Sequence, residues 1–224
     1  MPNLGWEKPQ VAGSPEDLVD AVLREGLTDE RVVAAFRRVK REQFVPRDRA
    51  GAAYTDRPIP IPHGQVTTQP TLVARMVAAL KLTGRERVLE VGTGLGFQTA
   101  ILCSLTAEVF SIERFADLGE QARTNLRAAG IQGATIVVGD GTLGLPEQAP
   151  FEGIVVSAAS PEVPPPLVEQ LTDGGRIVHP VGPGGDEIVM VFRKEGDALI
   201  REGLVVPAHF VRLIGEHGLS DGPP

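Results

Sequence analysis

Sulfur and aromatic rings are scarce in this chain. Cys103 is the single cysteine among 224 residues, and phenylalanine, tyrosine and tryptophan together make up 4% of them. One cysteine excludes an intrachain disulfide and a cysteine-built metal cage. Its neighbours Ile101 and Leu102 place it on a buried helix face, where it packs rather than reacts. His63, His179, His209 and His217 show no metal-ligand spacing, so no metal is expected. No apolar run approaches a membrane span, and the polar N-terminus lacks the apolar stretch of a signal peptide. Positive charge is also short, with 22 Lys and Arg against 29 Asp and Glu and a net charge of −7, which speaks against a general nucleic-acid binder. Arg31, Arg37, Arg38, Lys40, Arg41, Arg47 and Arg49 do cluster, and are read as a solvated helix face and loop. A cytoplasmic, monomeric enzyme with neither membrane nor nucleic-acid partner is the expectation.

What is present is a hydrophobic fraction of 42%, enough to bury a substantial core. Residues 1–13 read as a loose arm and 217–224 as a flexible tail. Ser14 is a candidate N-cap before Pro15, with Leu18, Val19, Val22 and Leu23 at helical spacing up to Gly26. A second helix follows Asp29 on the stripe Val32, Ala35, Phe36 and Val39. The proline-rich stretch from Pro46 to Pro62 is irregular, and Pro70 starts a third helix. Residues 14–82 thus form a helical, site-covering segment, and residues 83–216 a catalytic domain, in one structural domain overall.

From residue 83 the pattern changes. Strand-like runs at 87–91, 107–112, 134–138, 153–157 and 175–181 alternate with helical stretches at about 96–105, 114–129 and 164–172. Glu187 to Arg193 and Ala198 to Val206, split by the turn-prone Lys194-Glu195-Gly196-Asp197, form an antiparallel hairpin at the sheet edge. The fold class is α/β, a doubly wound, mostly parallel sheet with an N-terminal helical cap and that C-terminal hairpin.

The motif with most chemical content is Val88-Leu89-Glu90-Val91-Gly92-Thr93-Gly94-Leu95-Gly96-Phe97, a strand that carries an acid, breaks into alternating glycines and opens a helix. A dinucleotide loop reads GxGxxG and requires no acid within the strand; here the third glycine falls one residue early, which favours an adenosylmethionine loop. Ligands in such sheets sit at the carboxyl ends of the strands. Glu113 ends the second of these strands, where its carboxylate suits both ribose hydroxyls or, alternatively, the positive end of the next helix. Asp140, in Gly139-Asp140-Gly141, suits an adenine amino group or an ordinary turn. Glu90 satisfies loop N–H groups or balances the ligand's positive charge.

The segment from Tyr54 to Pro70 contains Tyr54-Thr55-Asp56-Arg57-Pro58 and Gly64-Gln65-Val66-Thr67-Thr68-Gln69-Pro70. With Arg41-Glu42-Gln43-Phe44-Val45-Pro46, the continuation Gln98-Thr99-Ala100, Gly139-Asp140-Gly141 and Ala158-Ala159, it resembles the protein-L-isoaspartate O-methyltransferase family, from about residue 15 to 214. The resemblance implies methyl transfer from S-adenosylmethionine to the free carboxylate of isoaspartyl residues in damaged proteins or peptides. It places cofactor contacts at Glu90, Gly92, Thr93, Gly94, Gly96, Gln98, Thr99, Glu113, Arg114, Asp140 and Gly141. The active-site hydroxyl falls on Thr68, where the family's usual residue is serine; the hydroxyl is also placed to cap the next helix, as is that of Thr67. His63, Gln65, Thr67, Ala158 and Ala159 are assigned to the substrate. Phe97 where tyrosine is common, Glu152-Gly153 opening the fourth strand and His209-Phe210-Val211-Arg212 depart from the family pattern. Other readings are a carboxyl methyltransferase for one dedicated peptide, and a cofactor-binding interaction protein without catalysis.

Overall fold

The computed structural model describes residues 13–183 and 185–221; all but the last residue of the expected N-terminal arm and the end of the tail lie outside these. Three helices open the chain. In α1 (Pro15–Arg24) the Asp17 carboxylate accepts the Ser14 N–H at 2.6 Å, and in α2 (Glu30–Arg38) the Asp29 side chain accepts the N–H groups of Arg31 and Val32. These acids satisfy amides that the first turn of a helix cannot pair internally. Short 3-10 helices at Arg41–Phe44 and Arg47–Ala52 then lead to a small antiparallel ribbon, β1 (Ile59–Pro60) with β2 (Val66–Thr67), and to α3 (Pro70–Ala79). The ribbon and the second 3-10 helix give order to a stretch that composition alone presents as irregular.

The remainder alternates strand and helix: β3 (Arg87–Val91), α4 (Phe97–Cys103), β4 (Glu108–Glu113), α5 (Ala116–Ala128), β5 (Ala134–Val138), β6 (Phe151–Val156) and α6 (Pro165–Glu169). It ends in β7 (Leu171–Val181), β8 (Glu187–Glu195) and β9 (Ala198–Ala208). The seven-stranded sheet has the order β5-β4-β3-β6-β7-β8-β9, parallel as far as β7 and antiparallel beyond. The predicted hairpin is β8–β9, with Glu195 opposite Ala198. Because the sheet is covered on both faces, β3 is buried along Val88 to Val91, Glu90 included, instead of alternating with exposed residues. Val88, Val109, Val155 and Val178 face one core layer, shared with Leu18, Phe36 and Met76 of the three N-terminal helices. Leu89, Phe110, Ile154 and Ile177 face the other, beneath Leu167 of α6. Neighbouring strand residues thus serve opposite layers, as the pleat requires.

Strand order reverses at β3, whose neighbours β4 and β6 lead away in opposite directions, and the crevice at its carboxyl end is where open α/β sheets bind ligands. The expected tail does not trail away from this end. Leu219 N–H bonds to Leu213 O at 2.7 Å and Glu216 N–H to Asp140 Oδ2 at 2.7 Å, folding residues 213–219 back onto the Asp140 turn. Among the described residues no helix is long and apolar enough to cross a membrane.

Candidate active site

Beyond Val91 the chain turns through Gly92 (φ 96°), Gly94 (φ 55°) and Gly96 (φ 94°) before α4 begins. A side chain at these angles would be strained, and a Cβ on Gly92 would also press within 3.3 Å of Ser157 Cβ on the loop after β6. The loop is tied from β4: Gly94 N–H donates to Glu113 Oε2 at 2.8 Å, and the Thr93 and Ser111 hydroxyls meet at 2.5 Å. Gly96 lies deeper, facing Ala122 and Leu126 of α5 and Phe44.

Three carboxylates surround this turn in different environments. Glu90 is fully buried, and burial raises its carboxyl to about 7 against hydrogen bonds from Ser111, Thr99 and Gln98. Its donors are Thr99 Oγ1 at 2.5 Å, Ser111 Oγ at 2.6 Å and Gln98 Nε2 at 3.0 Å, all side chains, so the expectation that it serves loop N–H groups is corrected. The loop amide goes to Glu113, which also accepts Phe115 N–H at 3.0 Å. Burial raises the Glu113 carboxyl, and these N–H groups only partly counter it. Burial also opposes ionisation of Asp140, but hydrogen bonds from Glu216 N–H and the Thr142 hydroxyl and N–H outweigh it and lower the pKa. Both Asp140 oxygens are thus engaged in its own turn and the folded-back C-terminal segment.

The ribbon carries the covering residues. His63 stacks on Phe115 at 4.2 Å between centroids, and its Nε2 lies 2.8 Å from Asp117 at the start of α5. Gln65 donates to His63 O at 3.0 Å. The hydroxyl of Thr67 accepts from Arg41 Nη2 at 2.8 Å and from Ile59 N–H at 3.1 Å, which commits it to the ribbon. Thr68 is half-buried. Neither threonine caps α3, because Asp56 accepts the Thr71 N–H at 2.9 Å and does so in their place.

A cavity of about 590 Å³ opens between loop and ribbon, within the range of small-molecule sites. Its lining includes Gly92, Thr93, Gly94, Gln98, Glu113, Arg114 and Gly141 from the glycine loop, α4 and the neighbouring strand ends, Ala158 from the loop after β6, and His63, Gln65, Thr67 and Thr68 from the ribbon segment. Glu90, Gly96, Thr99, Asp140 and Ala159 stand behind this lining. Ala159 is fully buried and pairs through its backbone with Val211 and Leu213, so its assignment to substrate contact is corrected to anchoring that segment. A second cavity, of about 340 Å³, shares Val66, Thr68, Ser157 and Val211 with the first. Gln98 Oε1 faces no partner among the described residues while its Nε2 is held by Glu90 and Ser157. A buried acceptor of this kind on a glycine cradle, with an acid at the strand end, fits a ligand carrying N–H and hydroxyl donors, as an adenosyl amino acid does. No group of His, Cys, Asp and Glu among the described residues has the arrangement of a metal site.

Residues 14–218 match the sequence profile of protein-L-isoaspartate(D-aspartate) O-methyltransferase, PCMT. The chain belongs to this family. Among relatives of the family, a protein-L-isoaspartate O-methyltransferase of Methanoculleus marisnigri is 48% identical over 91% of this chain and 92% of its own. One from Aeropyrum pernix is 45% identical over 91% and 80%. A solved protein-L-isoaspartate O-methyltransferase superposes with a TM-score of 0.81 at 27% identity, over 91% of this chain and 67% of that one. A Plasmodium falciparum protein solved with S-adenosyl-L-homocysteine gives 0.79 at 21% identity over 90% and 99%, a likeness of fold.

Against this family background, residues outside the sequence assignments hold the site together. Ser157 and Ser111 orient Gln98 and Glu90, Phe115 carries the His63 ring, and Asp56 caps α3. Arg41, read from sequence as part of a solvated cluster, is fully buried. Burial lowers its guanidinium to about 10, with Asp56 opposing, so it stays charged at neutral pH. The signal for it in the sequence is its place at the head of Arg41-Glu42-Gln43-Phe44-Val45-Pro46, one of the stretches that carry the family resemblance; its acceptors, Ala53 O, Thr55 O, Arg57 O, Thr67 Oγ1 and Thr68 O, lie 12 to 27 positions away and leave no local pattern.

Proposed function

We propose that the protein transfers the methyl group of S-adenosylmethionine to the free carboxylate of isoaspartyl residues in damaged proteins or peptides. The carrying observation is the position of Thr68, half-buried where the cavity beside the glycine loop meets the second cavity. A nucleoside in the first and an extended peptide in the second would meet at this residue.

In this reading Gly92, Thr93, Gly94, Gln98, Glu113, Arg114 and Gly141 contact the methyl donor. Glu90, Gly96, Thr99 and Asp140 shape the site from behind. Glu113 offers its acceptors to ribose hydroxyls, and the small Ala158 leaves room at the junction. Thr68 donates its hydroxyl to the substrate carboxylate, with His63 and Gln65 over it and Thr67 steadying the ribbon. S-adenosylmethionine supplies an electrophilic methyl on a sulfonium. A peptide carboxylate, with a pKa near 4, is already ionised at neutral pH, so the chain needs no general base and contributes positioning. The neighbouring backbone amide nitrogen then attacks the ester carbonyl, forming the ring C–N bond as the C–O bond breaks and methanol leaves with the amide proton, and the resulting succinimide takes up water in part to give the normal aspartyl linkage. The same reading takes the protein to be a cytoplasmic monomer without a nucleic-acid partner, in keeping with its single cysteine and net charge of −7.

Incubating a synthetic isoaspartyl peptide with the protein and S-adenosylmethionine, and following it by chromatography, tests the proposal. Conversion through succinimide to the aspartyl peptide is the expected result. An isoaspartyl peptide left intact while the cofactor binds would contradict it.

A further inference from the structure

Arg41 lines neither cavity, yet the hydrogen bonds of its guanidinium all fall on the segment that carries Thr68. Nη1 donates to Ala53 O at 3.1 Å and Thr55 O at 3.0 Å; Nη2 donates to Arg57 O at 3.0 Å, Thr67 Oγ1 at 2.8 Å and Thr68 O at 3.3 Å. Acceptors from residues 53 and 68, the two ends of the cover, are thereby gathered on one planar cation. Its Cζ also lies 5.6 Å from the ring centroid of Phe97, the first residue of α4 and part of the cavity lining. Phe44, three residues beyond Arg41, packs on the same ring at 6.2 Å.

We propose that Arg41 is a positioning residue for methyl transfer: it fixes the height of Thr68 above the glycine-loop helix by clamping both ends of the covering segment. The inference rests on the methyl-transfer reading and deepens it. A flexible loop of this length would sample many closures, and each misplacement of the reacting groups costs rate. Five acceptors around one fork leave no equivalent solution for lysine, which offers a single nitrogen with three donors. Asp56 helps hold this arrangement, since its carboxylate takes Gln69 Nε2 at 2.8 Å and the Thr71 hydroxyl at 2.9 Å immediately after Thr68.

The test compares Arg41→Lys, Thr67→Val and Thr67→Ser with the wild type in methylation kinetics, S-adenosylhomocysteine binding and hydrogen exchange. Per cofactor-binding protein, Arg41→Lys is expected to raise the isoaspartyl-peptide KM and lower kcat, each by roughly tenfold, with the S-adenosylhomocysteine Kd within about threefold of wild type. Exchange in residues 53–68 should accelerate by roughly tenfold while β3 and β4 stay protected. Thr67→Val should show the same pattern at roughly threefold and Thr67→Ser should restore the wild-type values. Wild-type kinetics and wild-type exchange of residues 53–68 in folded Arg41→Lys would overturn the proposal. If that variant does not fold, equal behaviour of Thr67→Val and Thr67→Ser would overturn it. Absence of methylation by the wild type would instead contradict the methyl-transfer reading, and the exchange data would still decide whether Arg41 holds the cover.

Discussion

The Glu113 carboxylate accepts the Gly94 N–H at 2.8 Å and the Phe115 N–H at 3.0 Å, so the acid that ends β4 fixes both the tip of the glycine loop and the approach to α5. Charge-assisted hydrogen bonds of this kind contribute about 1.5–3 kcal/mol each. Glu113→Ala is therefore expected to weaken S-adenosylhomocysteine binding by roughly tenfold or more in calorimetry. Glu113→Gln, whose amide oxygen still accepts one N–H, should lose less. Unchanged affinity in both variants would remove Glu113 from the cofactor site.

Thr68 makes no side-chain hydrogen bond to the described residues and lines both cavities, which distinguishes it from Thr67, committed to Arg41. Thr68→Ser keeps the hydroxyl and removes one methyl, and should retain or raise kcat/KM for an isoaspartyl peptide. Thr68→Val keeps the shape and removes the donor, and should lower kcat/KM by about tenfold, as expected for a lost hydrogen bond to a charged group. Equal rates in all three proteins would leave the hydroxyl without a role.

Two buried groups set opposing pH dependences. Glu90 titrates at about 7 in the fold, through burial, against an ordinary value of 4.5, so between these values the folded state holds a proton that the unfolded chain has released. Stability from this source falls as pH rises through the window. His179, lowered by burial to about 4 from 6.5, is neutral in the fold while the unfolded chain binds a proton, so its contribution falls as pH drops through 6.5 towards 4. In thermal melts, Glu90→Gln should gain at least about 3 °C in Tm relative to wild type between about pH 5 and pH 8. His179→Asn should gain relative to wild type in the acid direction. Parallel profiles would contradict these assignments.

His63 joins the cover to α5 by stacking on Phe115 and pairing with Asp117. His63→Ala removes both contacts at the rim of the cavity. A rise of about threefold to tenfold in KM for an isoaspartyl peptide, with kcat nearly unchanged, is expected from lost ground-state holding. An equal fall in kcat without a change in KM would place His63 at the reacting groups instead.

The architecture was legible where periodicity carries it. β3 is a mostly apolar run that stops at the first loop glycine, Gly92, and the β8–β9 hairpin follows from two strand-like runs split by the turn at Lys194-Glu195-Gly196-Asp197, because strand and turn chemistry are local. The glycine loop and Glu113 were readable for the same reason. The ribbon at Ile59–Pro60 and Val66–Thr67 was not, since two-residue strands leave no period, and its proline-rich sequence is held by a distant cation. The burial of Arg41 depends on acceptors up to 27 positions away. The partners of Asp140 were hidden similarly, because Glu216 reaches it from 76 residues away. Charge in a sequence is normally a surface feature, and only the assembled acceptors reveal the exceptions.

The most direct test supplies labelled S-adenosylmethionine and two synthetic peptides that differ only in an isoaspartyl or aspartyl linkage, and counts base-labile methyl ester. The account predicts label on the isoaspartyl peptide alone. Equal labelling of the two peptides, or none on either while S-adenosylmethionine binds, would contradict it.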